Sequence, residues 1–272
     1  DYFDEAILYL EKSLEYEPDN LDAIGDLAYA CEMKGNFEKA IFYTNKILDA
    51  DPYSFDAWLN LGKLYSITSQ FEKAIDALDF ALSINDSDIS VLNLKAHCLS
   101  LSGQSAEAIR IFEECLEQKP DSLTYSSLVD TYMALDEKSE AIRVLEEWAK
   151  FDPENPDFLM KKVNILIKLG KIEEAENFLA ETKKQLDNPE ALLPMEGEIL
   201  FQKGEFESAL EMFQKALAQD PDSIFLNDRL ATLCIIDEKY DEALAMLEKL
   251  KEATDDPSFV YFRIAYIYLE TG

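Results

Sequence analysis

A chain of 272 residues that is 48% apolar carries too much hydrophobic surface for a disordered segment and enough for a folded one. Its 56 acidic residues face 25 basic ones, a formal net charge of −31 that repels phosphate backbones and anionic membranes. Nucleic acid is thereby excluded as a partner class and a basic partner is favoured; no apolar run reaches the roughly 20 residues that span a bilayer, so membrane insertion is excluded too.

Only eight glycines and nine prolines punctuate this length, and Ala, Leu, Glu and Lys dominate between them, which predicts helices joined by short turns. One alanine sets the period. Ala6, Ala40, Ala74, Ala108, Ala141, Ala175, Ala209 and Ala243 recur at steps of 34 residues, except for one step of 33 between Ala108 and Ala141. Periods of this size mark stacked supersecondary units, none of which buries its apolar face alone.

The chain opens with a lone second helix over 1–20, where Phe3, Ile7 and Leu10 stand at core spacing with no preceding helix to cover them. Helical hairpins follow over 21–54, 55–88, 89–121, 122–155, 156–189, 190–223 and 224–257. A lone first helix over 258–272 ends the chain and presents Tyr261, Ile264, Ala265 and Tyr268. Five residues before the periodic alanine, Gly35, Gly103, Gly170 and Gly204 suit the turn inside a hairpin. Twelve residues after it, Pro18, Pro52, Pro120, Pro153 and Pro221 close the second helix, and neighbouring Asp, Asn and Ser side chains cap the next. The two half-repeats are complementary, so the chain reads as a piece of a longer array with a capacity for head-to-tail self-association.

Trp58-Leu59-Asn60-Leu61-Gly62-Lys63-Leu64-Tyr65, followed by Phe71, Ala74, Leu78 and Ala81, carries a W-x2-L-G-x2-Y signature. In these residues, and in its period throughout, the sequence resembles the tetratricopeptide repeat family. The resemblance implies a single array over 1–272, an all-α, right-handed α-solenoid superhelix of stacked antiparallel helix-turn-helix hairpins. A small residue recurs in the first helices as Ala28, Gly62, Ala96, Gly197, Ala231 and Ala265, where the paired helix crosses closely and bulk would clash. Val129 and Val163 break that rule, which predicts a local change of superhelical pitch near residues 120–170.

Catalysis finds little footing. His97 is the one histidine, there is no phosphate loop, and pairs such as Glu113-Glu114 and Glu173-Glu174 fall on solvent-facing positions of second helices. No cofactor or metal is implied. Cys31 and Cys234 lie six repeats apart, Cys98 and Cys115 share a repeat, and no C-x-x-C pair occurs; unpaired thiols favour a reducing, cytoplasmic setting.

The family lines its concave surface with first helices. Carried onto this sequence, one groove position per repeat gives Tyr29, Lys63, His97, Asp130, Asn164, Glu198, Thr232 and Tyr266. One helical turn further on, a second row runs through Met33, Ile67, Leu101, Ala134, Lys168, Gln202, Ile236 and Glu270. Tyr29, Met33, Lys63, Ile67, Asn93, His97, Leu101 and Asn164 are the candidate protein-binding residues, a mixed trough suited to an extended segment or a helix. A subfamily clamp for acidic tails is matched only by Asn60, since Gly25, Tyr29, Ser90 and Leu94 stand at its other positions. The chain therefore reads as a non-catalytic scaffold or adaptor that holds a protein or peptide. The alternative is a structural assembly element, the interaction arm of a larger multidomain or oligomeric protein.

Overall fold

The computed structural model describes residues 2–184, 186, 188–254 and 257–271, and among them contains sixteen α-helices and one 3₁₀ turn. Asp1 and Gly272, the limits of the expected array, lie outside the described residues. The chain divides into two compact units, 1–151 and 152–272. The division falls inside the interval that Val129 and Val163 single out.

The N-terminal unit begins with α1 (Tyr2–Tyr16) and continues as four hairpins: α2 (Leu21–Met33) with α3 (Phe37–Ala50), α4 (Phe55–Ile67) with α5 (Phe71–Ile84), α6 (Ile89–Leu101) with α7 (Ser105–Gln118), and α8 (Ser122–Ala134) with α9 (Lys138–Phe151). Side-chain oxygens of Asn20, Ser54, Asp88 and Asp121 accept from the first-turn backbone N–H groups of α2, α4, α6 and α8, groups that have no partner within the helix. Each first helix ends in a left-handed residue followed by a backbone bond that closes the turn, as in Asn36 N–H to Cys31 O at 2.9 Å. Gly35 and Gly103 adopt this conformation as their spacing predicts; at the two hairpins without the glycine, Ser69 and Asp136 take it instead, with φ of 57° and 58°.

The C-terminal unit pairs α10 (Pro156–Lys168) with α11 (Ile172–Thr182), α12 (Leu193–Gln202) with α13 (Phe206–Leu217), and α14 (Ile224–Ile236) with α15 (Tyr240–Ala253), and ends on α16 (Ser258–Thr271). Its middle hairpin opens irregularly, because a 3₁₀ turn over Pro189–Leu192 precedes α12. Pro194, near the start of α12, has no N–H to donate to a carbonyl one turn back, so the preceding residues wind more tightly instead of extending the α-helix.

Packing in both units follows the period. Ala40, Ala74, Ala108, Ala141, Ala175, Ala209 and Ala243 are all fully buried, as are Val129 and Val163 at the small-residue position of the first helices. At the N-terminus the expectation needs correction: Ile7 and Leu10 are half-buried against the cluster of Leu27, Cys31 and Ala40, because α1 turns that face onto the following hairpin. Its exposed apolar residues are Tyr2, Leu8, Tyr9 and Tyr16. On α16, Ile264 packs onto the cluster of Leu247 and Leu250, whereas Tyr261, Ala265 and Tyr268 are exposed.

Candidate protein-binding face

Seven of the eight candidate residues lie in three consecutive first helices of the N-terminal unit at i, i+4 spacing, hence on one face of each helix: Tyr29 and Met33 on α2, Lys63 and Ile67 on α4, and Asn93, His97 and Leu101 on α6. Asn93 is half-buried and the other six are exposed. Tyr29 also meets the edge of Phe3 from α1, with ring centroids 6.4 Å apart. A cavity of about 700 Å³ opens beside Asn93, Leu94 and His97 of α6 and Leu123, Thr124 and Ser127 of α8, with Phe112 of α7 also in its wall. Asn93 Oδ1 is buried there without a hydrogen-bond partner among the described residues. The two helices are also stitched directly, Ser100 Oγ to Thr131 Oγ1 at 2.8 Å.

Charge around the cavity is largely accounted for. α6 carries no carboxylate. Asp88 and Asp121 at its rim are committed as helix caps, and the hydroxyl of Ser90, joined by the backbone N–H groups of Val91 and Ser90, holds the Asp88 carboxyl below the usual range. Lys119 is an exposed cation at the same rim. Asn60, the one match to a tail clamp, donates to Thr44 Oγ1 of the preceding second helix at 3.3 Å.

Asn164 is not brought to this cavity. It belongs to the C-terminal unit and lines a separate space of about 380 Å³ with Met160, Pro194, Gln219 and Phe225. Glu198, projected as a groove position, is only 3% exposed. Arg229 of α14 grips it with Nε to Oε2 at 2.6 Å and Nη2 to Oε1 at 3.2 Å, and Gln202 donates to Oε1 at 3.1 Å. The guanidinium also lies near the rings of Phe201 and Phe225. One repeat on, Arg263 Nη1 of α16 reaches Asp228 Oδ1 and Thr232 Oγ1, each at 2.7 Å. The groove positions Glu198 and Thr232 are thus occupied by a ladder internal to the protein. Arg229 and Arg263 were not visible to a one-position-per-repeat projection, because they lie 31 residues from Glu198 and Thr232 and not 34; Asp228 lies 35 residues from Arg263.

Among the second helices, Glu113 is not simply solvent-facing: it accepts from Arg143 at 2.9 Å and from Tyr132 at 3.3 Å. Glu140, Glu147 and Glu113 surround that guanidinium and raise its pKa further. The four thiols are free and buried, and burial, followed by Glu114 and Asp121, pushes Cys115 up to about 11. None of the helices among the described residues is long and apolar enough to cross a membrane.

Helical hairpins stacked at this period define an all-α repeat solenoid. The sequence profile described as "Tetratricopeptide repeat" matches residues 3–52, 140–193 and 200–272, and one described as "Anaphase-promoting complex, cyclosome, subunit 3" matches 33–115. The chain belongs to the tetratricopeptide repeat family. It is 25% identical over 173 residues to the TPR repeat-containing protein YpiA of Bacillus subtilis (strain 168), a match that covers 62% of this chain and 41% of that protein. Solved structures share the fold, two of them as examples. A tetratricopeptide repeat protein from Parabacteroides merdae superposes with a TM-score of 0.71 at 13% identity, over 91% of this chain and 98% of that one. Yeast Tom70 superposes with a TM-score of 0.72 at 17% identity, over 99% of this chain and 59% of that one.

Proposed function

We propose that the chain is a non-catalytic protein-interaction scaffold that holds a peptide or protein segment on the first-helix face of its N-terminal unit. The observation that carries this reading is the cavity beside α6 and α8. It sets the apolar side chains of Leu94, Phe112 and Leu123 among polar ones such as Asn93, His97 and Thr124, a mixture that can both bury and orient a ligand, and a buried amide oxygen without a donor is costly until something supplies an N–H. The internal ladder at Glu198 and Thr232 directs the reading to the N-terminal unit, where Lys63 and His97 remain at the surface and Asn93 lines the cavity. The excess of carboxylates favours a basic segment through faster encounter and a salt-sensitive association.

Affinity capture with the 272-residue chain as bait tests this, run beside an Asn93→Ala/His97→Ala variant and a second-helix control, Glu114→Gln. Partners lost with the paired change and kept with the control support the assignment. Partners that bind all three baits equally would place the interaction elsewhere.

A further inference from the structure

The C-terminal ends of three successive first helices carry a row of exposed apolar side chains. Met33 closes α2, Ile67 closes α4 and Leu101 closes α6, and they are 51, 55 and 53% exposed; in α8 the matching position is Ala134, and Leu135, one residue on, is 44% exposed. A lone exposed leucine needs no explanation, but large apolar residues repeated at a step of 34 form a stripe, and such patches mark interaction surfaces. Neighbouring helices in the row touch, α4 against α6 and α6 against α8. Across the tight turns, the partner second helices open with exposed carboxylates at Glu38, Glu72 and Glu107.

We infer that this stripe seats one amphipathic α-helix of a protein partner, with an apolar residue at every seventh position and Lys or Arg along the flank that faces the carboxylates. This rests on the reading of the first-helix face as the binding face. Packed helices lie about 8–10 Å apart, and an α-helix returns to the same face after seven residues, about 10 Å. An extended strand repeats a face at about 7 or 13 Å and falls out of step. A polyproline helix repeats at about 9 Å, which fits the period, but it docks on aromatic-lined grooves, and this stripe is Met, Ile and Leu. One turn back, Tyr29, Lys63, His97 and Asp130 form a second, more polar rank for the same helix to touch.

The test is selection from a displayed library of random peptides of about 24 residues, long enough as a helix to cross four repeats. The full chain is the target, and the chosen peptides are then measured on Ile67→Ser/Leu101→Ser and on Asn93→Ala/His97→Ala. Both changes of the first pair are at exposed positions, so the fold is checked by circular dichroism before binding is read. The expected result is a set of peptides rich in Lys and Arg, with apolar residues seven apart, that become helical on binding and bind the stripe variant at least about tenfold more weakly. Apolar residues three apart, acidic binders, or affinity indifferent to the stripe variant would overturn the inference. Peptides that depend only on Asn93 and His97 sink the stripe and leave the scaffold reading standing. Peptides indifferent to both variants, or a selection that yields none, sink both.

Discussion

Leu78 fills the space that a side chain at Gly62 would need. A Cβ built on Gly62 lies 2.6 Å from Leu78 Cδ2 and 2.7 Å from Cγ, and Leu78 is fully buried. The pair Gly197 and Phe213 repeats the arrangement in the C-terminal unit, again at 2.6 Å. Overpacking of this kind costs about 1–3 kcal/mol, whereas replacing a mid-helix glycine gains about 1 kcal/mol. Gly62→Ala is therefore expected to lower the unfolding free energy. Ala74→Leu, at a fully buried alanine with no glycine to relieve, is expected to lose about 1–3 kcal/mol. Urea titration of both variants checks this; a Gly62→Ala protein more stable than its parent would show that Leu78 has room to move.

Ser69, Asp136 and Glu238 hold φ of 57°, 58° and 58° where the other hairpins place glycine. A left-handed backbone costs an ordinary residue on the order of 1 kcal/mol. Ser69→Gly and Glu238→Gly should each stabilise the protein by about 0.5–1 kcal/mol, less the extra chain entropy that glycine brings to the unfolded state. Gln70→Gly, one position on, serves as the control and should not stabilise. Equal midpoints for Glu238→Gly and its parent would count against strain at this turn.

Loss of Arg229 would leave the carboxylate of Glu198 with Gln202 alone, in a site that is 3% exposed. Breaking a buried pair from one side costs about 3–5 kcal/mol, while replacing both partners is far milder. Arg229→Met should accordingly be more damaging than Glu198→Gln/Arg229→Met. A double-mutant cycle by chemical denaturation measures the difference, and a double variant weaker than Arg229→Met alone would contradict it.

Acid should weaken the cap of α6 in a recognisable way. Asp88 has its folded pKa lowered, with the Ser90 hydroxyl as the main cause. A group of this kind contributes stability above its unfolded pKa, about 3.9 for Asp, and loses it as pH falls through the lower folded value. Asp88→Asn keeps a capping side chain and removes the titration. The stability difference between parent and variant should be constant at neutral pH and shrink below about pH 4; a difference that stays constant into acid would refute the assignment.

Much of the fold was legible because a 34-residue step repeats so many times that single losses do not hide it. Ala175 and Ala209 keep the register even where Val163 or Pro194 disturbs the first helix. The turns were legible only where glycine marks them; Ser69, Asp136 and Glu238 adopt the same backbone under tertiary constraint and leave no compositional trace. The candidate face was legible along each helix, since i, i+4 spacing is local. Between helices it was not. Glu198 meets Arg229 at a separation of 31 residues, so a projection in steps of 34 misses the partner and mistakes a buried, neutralised carboxylate for an open one.

The substantial contacts join helices that are adjacent in sequence or next but one, such as α4 with α5 and α4 with α6. Cooperativity in such a chain is handed from neighbour to neighbour and not imposed by one shared core. Pulled by its termini, the protein would lengthen in increments of roughly one hairpin, each a separate rupture, and on release could refold from any surviving segment. A single melting temperature would then average several local transitions, and hydrogen exchange would resolve them as a profile along the sequence.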